Sequence, residues 1–163
     1  MIECKSGRHQ VWSEFALNIR TPLRFEQGCR YHLHGDNGSG KSSFINRILL
    51  PLLKDSSCYI LLFEQQLALQ LHAIKAHAAI FNPKRSILNE SDMIRYLYDD
   101  LAIAYLQHPK DTYIISDESH YPELLLRCST HHCLIYTSHN VFVDNAQQVR
   151  FDLVNPELSE VYV

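Results

Sequence analysis

The chain has 163 residues, enough for one domain with its own core and too short for several. Apolar residues make up 46% and charged residues 20%, which excludes a disordered chain, and the formal charge of −3 excludes a broad basic field for nucleic acid. No apolar run approaches the roughly 18–20 residues that span a bilayer, the Met1-Ile2-Glu3-Cys4-Lys5 start lacks a signal-peptide plan, and five unpatterned cysteines suit a reducing cytoplasm.

In chain order, Val11 to Arg20 reads as one strand, with Val11, Ser13, Phe15, Leu17 and Ile19 on one face. Phe25 to Cys29 is a turn signal. Arg30 to His34 is a short strand leading into a loop from Gly35 to Gly40. Ser42 to Lys54 has helical spacing at Phe44, Ile45, Ile48 and Leu49, and Pro51 is expected to end or kink this helix. Cys58 to Phe63 is a continuous apolar run, the pattern of a strand buried on both faces. Gln66 to Phe81 reads as a helix with Leu67, Leu71, Ile74 and Ala78 inward, stopped by Asn82-Pro83. Ser91 to Gln107 reads as a second, with Ile94, Leu97, Leu101, Ala104 and Tyr105 inward. Thr112 to Ser116 and Cys133 to Ser138 are further buried strands, with a short helix at Pro122 to Cys128 between them. Val149 to Val154 and Val161 to Val163 flank Asn155-Pro156-Glu157 as a terminal hairpin. This alternation predicts an α/β layered fold with a largely parallel central sheet.

The glycines carry the sharpest signal. There are five, three of them lie between positions 35 and 40, and none follows Gly40. Gly35-Asp36-Asn37-Gly38-Ser39-Gly40-Lys41-Ser42 satisfies the phosphate-loop pattern in full, after a strand and before a helix. Glycines let such a loop wrap closely, so that backbone N–H groups and a helix N-terminus face an anion. Lys41 would reach the β- and γ-phosphates, Ser42 would offer a hydroxyl to Mg²⁺, and Ser43 would complete the nucleotide contacts. Asp117-Glu118 closes a buried strand; Asp117 would serve the Mg²⁺ shell and Glu118 would polarise a water. His139, in Thr137-Ser138-His139-Asn140, stands at the tip of the next strand, within reach of a γ-phosphate.

With these three segments the chain resembles the nucleotide-binding domain of ABC ATPases over nearly its whole length. The resemblance implies a P-loop cassette with an N-terminal antiparallel β piece, binding ATP with Mg²⁺ and hydrolysing it. It casts Glu118 and His139 as catalytic, with His139 as the switch histidine. It places Gln65 or Gln66, with Gln66 preferred, as the glutamine that joins Ser42 and Asp117 at Mg²⁺. It offers Trp12 and Phe15 as adenine platforms, with core aromatics as the alternative. It also implies a homo- or heterodimer with another ATPase subunit, a membrane permease as partner, and a cytoplasmic location, peripheral on a membrane.

The chain departs from the family in places. No Leu-Ser-Gly-Gly-Gln signature exists; Leu88-Asn89-Glu90-Ser91-Asp92 stands there instead, with Ser91 as the expected helix cap. The stretch from Gln66 to Ser91 is too short for a full helical subdomain, which predicts a reduced one. The competing readings are a nucleotide-gated regulatory module with little hydrolysis, a DNA-repair-type ATPase head and a small-molecule kinase. The run from Cys128 through His131 and His132 to Cys133 has metal-like residue types at no zinc spacing, and His32 and His34 read as packing.

Overall fold

In the computed structural model, residues 1–97, 111–118 and 132–163 are described. The expected helix at Pro122 to Cys128, the distal part of the Ser91–Gln107 helix with Leu101, Ala104 and Tyr105, and most of the Cys128–Cys133 run lie outside them. The side chain of Leu67 does too.

The sheet has eight strands. β2 (Gly7–Trp12) and β3 (Phe15–Ile19) form a hairpin, β5 (Arg30–His34) leads into the glycine loop, and β6 (Tyr59–Phe63), β7 (Thr112–Ser116) and β8 (Cys133–Thr137) follow. β9 (Gln147–Asn155) and β10 (Leu158–Tyr162) form the terminal hairpin. Their order is β2-β3-β10-β9-β5-β8-β7-β6, and the five strands from β9 to β6 are mutually parallel. β10 runs against β9 and alongside β3, so the N-terminal hairpin joins the sheet through the C-terminal one. A separate two-stranded ribbon pairs β1 (Ile2–Cys4) with β4 (Leu23–Phe25). The result is a mixed α/β molecule with a mostly parallel central sheet, an architecture that fits nucleotide-binding α/β folds.

Two expectations about strands are corrected. The Val11–Arg20 run is not one strand, because the chain turns at Ser13-Glu14 and the two halves pair with each other. The apolar alternation spans the turn without showing it. Gln10 fixes that turn, its Nε2 donating to the carbonyls of Trp12 and Phe15. The Cys58–Phe63 run is not buried on both faces either: Tyr59, Ile60 and Leu62 are only partly covered, since among the described residues β6 is at the sheet edge and pairs with β7 alone. The fully buried strands are β7 and β8.

Period-2 alternation divides β7 and β8 between two cores. Tyr113, Ile115, Cys133 and Ile135 face one side, with Leu33, Val149 and Phe151. Ile114, Leu134 and Tyr136 face the other, with Leu61 and Phe63. Each such side chain contributes about 1.5–3 kcal/mol by leaving water.

The first side is covered by a continuous helix built from α1 (Lys41–Phe44), a π-helical stretch (Ile45–Leu49) and α2 (Leu50–Lys54). Phe44, Ile45, Ile48, Leu49 and Leu53 point into the core. Pro51 does not end this helix. It has no N–H for the carbonyl one turn earlier, and the wider π turn just before it lets the helix run on to Lys54.

The second side is covered by α3 (Leu67–Phe81) and α4 (Glu90–Arg95). Leu71, Ile74 and Ala78 of α3 face inward, as the spacing predicts. Asn82 closes α3, its N–H donating to the Ala78 carbonyl. His77 Nδ1 meets the Tyr96 hydroxyl at 3.0 Å, tying α3 to the residues just after α4. The cap of α4 is Asn89 rather than Ser91. The Asn89 side chain accepts from Asp92 N at 3.0 Å, and Asp92 Oδ2 accepts from Leu88 N at 3.1 Å. This reciprocal pair satisfies donors at the helix start and leaves Ser91 in the first turn.

Candidate functional site

The carboxyl ends of β5, β7 and β8 meet in one cleft of about 610 Å³. Its walls include Asn37, Gly38, Gly40, Lys41, Ser42 and Ser43 from the glycine loop and helix start. Asp117, Glu118 and Thr137 form the far wall, and Gln65, Trp12 and Phe15 the flanks. In a largely parallel sheet this is where ligands are held.

The loop's course depends on two glycines. A Cβ on Gly35 would come within 2.3 Å of the Phe151 carbonyl oxygen, so only glycine lets β5 pass the terminal hairpin here. Gly40 has φ of 97° as the residue before α1, and a Cβ there would meet Leu17 and Phe15 side chains at 2.8 and 2.9 Å. Between them a turn closes, Ser39 N donating to the Asp36 carbonyl at 3.1 Å. Gly35→Ala is expected to lower unfolding free energy by about 2–3 kcal/mol, because the added methyl meets backbone that cannot give way. Urea unfolding of the variant and the wild type measures this; equal midpoints would refute it.

Lys41 folds back over the loop that precedes it. Its Nζ donates to the carbonyls of Gly35 at 2.6 Å and Asp36 at 2.9 Å. Burial pushes its pKa down, and the carboxylates of Glu118, Asp117 and Asp36 counter that. A cation is therefore held at the loop centre, facing acidic groups across the cleft. Among the described residues, Ser39 Oγ is buried without a hydrogen-bond partner. With the loop N–H groups and the helix start, the cation and the glycine cradle make a site suited to an anion.

The acidic wall is set by Thr137. Its Oγ1 donates to Asp117 Oδ1 at 2.7 Å and accepts from Glu118 N at 2.6 Å. Asp117 N donates to the Phe63 carbonyl at 3.0 Å, which anchors the bend to β6. Glu118 has φ of 51°, a left-handed conformation that costs a non-glycine residue energy. The Thr137 bond holds it there, with Asp117 buried and Glu118 partly open to the cleft. Thr137 was not among the sequence candidates. The parallel register offers a signal for it, since Ser116 pairs with Tyr136 and the next residue on each strand is Asp117 and Thr137.

His139 is exposed at the cleft mouth, and its Nε2 donates to Asn37 Oδ1 at 2.9 Å. The structure thus joins the strand-tip histidine to the glycine loop. The loop that carries it is anchored from below by His32, whose Nε2 donates to the Ser138 carbonyl at 3.0 Å. His32 is buried and stacks on Tyr136 at 4.7 Å, so it is packing, as expected, and a loop tether as well. Burial holds its pKa below the ordinary value, and the nearby His34 and His139 lower it further. A histidine with a depressed folded pKa binds fewer protons folded than unfolded. Stability then falls as the pH drops below the ordinary histidine value of about 6.5. Urea unfolding between pH 5 and pH 7.5 is expected to show this fall in the wild type and a smaller one in His32→Phe. Equal slopes would refute it.

The two glutamines take different places. Gln65 lines the main cleft, whereas Gln66 lines an adjoining depression of about 300 Å³ that Gln65, Ser42 and Asp117 also border. Gln66 directly precedes α3. Gln70 braces this turn, its Oε1 accepting from Glu64 N and its Nε2 donating to the Leu62 carbonyl, both at 3.2 Å. Asp36 shows its carbonyl to Lys41 and its side chain to solvent. Trp12 and Phe15 both border the cleft, and Leu153 and Pro156 of the terminal hairpin join them, a contribution that nothing in the sequence pattern marks.

Among the described residues no group of three or more His, Cys, Asp or Glu gathers as a metal site. No described helix is long and apolar enough to cross a membrane. No protein-family model matches the sequence, and no curated protein is similar to it.

The chain is similar in fold to solved structures. One of them is a model of ribosome-bound archaeal Pelota and ABCE1, of which one chain matches with a TM-score of 0.59 at 14% identity. The match covers 99% of this chain and 34% of that one, so this chain spans about a third of its length. At that identity the likeness speaks to fold alone. It agrees with a mixed α/β fold built on a mostly parallel central sheet.

Proposed function

We propose that the cleft binds ATP and hydrolyses it to ADP and phosphate. The observation that carries this reading is the placing of Lys41, bound to its own loop's carbonyls, opposite the Asp117–Thr137–Glu118 wall. The triphosphate would follow the Gly38–Ser43 backbone, with Lys41 at the β- and γ-phosphates and Ser43 further along. The base would lie toward Trp12 and Phe15.

Ser42, Asp117 and Gln65 offer hard oxygen donors where the cleft and the adjoining depression meet. Such a set fits Mg²⁺, which takes one or two carboxylates and keeps several waters. Held by these residues, Mg²⁺ would supply charge neutralisation to the phosphates. Glu118 orients a water and accepts its proton. The water oxygen bonds to the γ-phosphorus as the bond to the β–γ bridging oxygen breaks. His139, tied to Asn37, would stand near the γ-phosphate.

The similar fold comes from a ribosome-bound assembly, which supports protein partners in general for this reading. A membrane permease has no counterpart there. In this chain the Leu88–Asp92 segment makes an ordinary capped helix start, with Asp92 bonded to Leu88 N. A phosphate from a second copy would meet Glu90 and Asp92 there, so a composite site between two identical chains is not part of the proposal.

Calorimetric titration with ATP and Mg²⁺, followed by phosphate release at several protein concentrations, tests the reading. Binding that disappears in Lys41→Ala supports it. Turnover linear in protein concentration marks a self-sufficient site. An absence of binding by the wild type would overturn the proposal.

A further inference from the structure

Trp12 is the single tryptophan of the chain. Its ring stands at the end of β2, on the cleft wall, and is 49% exposed. A half-exposed indole would ordinarily have rotational freedom, but two contacts to the ring, on a backbone fixed by a third, restrict it here. Gln10 holds the Trp12 carbonyl. The indole Nε1 donates to Ser43 Oγ at 3.1 Å. The Arg47 guanidinium lies over the ring, 4.1 Å from its centroid. Ser43 and Arg47 are four residues apart on one helix, so they present one face to the indole and clamp it by edge and by plane.

We propose that Trp12 is a positioning residue for the phosphate end of the cleft: its indole N–H sets the Ser43 hydroxyl, and Arg47 holds the indole in place. This rests on the nucleotide reading above. A serine hydroxyl has one proton and two lone pairs. By accepting from the indole, Ser43 commits a lone pair on that side and turns its proton away, free to donate. Ser43 lies two residues beyond Lys41 on the same cleft wall, where an anionic oxygen is the acceptor that gains most from a fixed donor. A ring that only stacked on a base would affect ligands that have a base. A ring that sets Ser43 affects phosphates lacking one as well.

Tripolyphosphate, which has neither base nor sugar, separates the two roles. Calorimetry with Mg²⁺ on the wild type, Trp12→Phe, Ser43→Ala and the double variant is the experiment. Trp12→Phe keeps a ring and loses the N–H; it is expected to weaken tripolyphosphate binding about fivefold, the worth of one ordinary hydrogen bond. In the Ser43→Ala background the same change is expected to add nothing, since the bond is already gone. A second readout needs no change at Trp12. Saturating tripolyphosphate is expected to shift the emission of Trp12 in the wild type and leave it unmoved in Ser43→Ala. Arg47→Ala is expected to move Trp12 emission to longer wavelength as the ring turns to water. Urea unfolding confirms that each variant folds. Wild-type tripolyphosphate affinity in Trp12→Phe, with only ATP weakened, would overturn the inference and leave Trp12 a stacking platform. Unmoved wild-type emission under saturating tripolyphosphate would overturn it too. A wild type that binds neither ligand overturns the nucleotide reading and this inference together.

Discussion

Lys41→Ala is expected to weaken ATP binding on the order of 100-fold, the cost of removing one partner from a partly buried, hydrogen-bonded charge pair. The position of the ammonium sets this cost. It is tethered to the Gly35 and Asp36 carbonyls rather than to a carboxylate, so its charge is not cancelled by direct pairing. Glu118 and Asp117 face it from across the cleft and raise its proton affinity against burial. An incoming triphosphate meets those carboxylates as well, and without the lysine only the repulsion remains. Lys41→Ala removes two bonds to the Gly35 and Asp36 carbonyls, but the Ser39–Asp36 turn and the glycine conformations support the loop independently of them. The variant should therefore unfold in urea close to the wild type while failing to bind. Binding retained within threefold would remove the lysine, and with it the phosphate reading of the loop.

Glu118→Gln is expected to separate binding from chemistry. The amide keeps the shape of the side chain, and the backbone N–H that Thr137 holds is untouched. Loss of the base is expected to lower turnover by about 10²–10⁴-fold, while ATP affinity stays the same or improves as a facing negative charge is removed. Single-turnover phosphate release with equilibrium binding distinguishes the two effects. An unchanged rate would mean that Glu118 is a strained bend residue with no part in the reaction.

The fold was legible wherever burial imposes a period. The β7 and β8 runs, the inward stripe of α3 and the terminal hairpin follow from apolar spacing, because each buries a continuous face. The N-terminal hairpin was hidden because Val11, Phe15, Leu17 and Ile19 keep one alternation across the turn. Side-chain hydrogen bonding from Gln10, not hydrophobic pattern, folds the chain there. The edge position of β6 was hidden for a related reason: an apolar run reports hydrophobicity and says nothing of strand order. In the cleft, the residues that the glycine loop and the strand ends carry were legible from motif and position. The sequence pattern assigns Thr137 no role, since its importance comes from the neighbouring strand. Leu153 and Pro156 reach the cleft only through the three-dimensional path of the terminal hairpin, which no local pattern encodes. The cap at Asn89 was missed in favour of Ser91, although Asn89 and Asp92 have the spacing of a reciprocal cap.

The position of β5 has a consequence for motion. It is paired on both sides, by β8 and by β9, whereas β2 and β6 are the outermost strands. Amide protons in β5 are released only when the whole sheet opens, and those of the edges escape in smaller, cheaper fluctuations. The floor of the cleft is thus expected to hang from a slowly exchanging strand, while Trp12 ends one edge strand and Gln65 follows the other. Rearrangement on ligand entry is expected to fall to the sheet edges and the loops beside them rather than to β5.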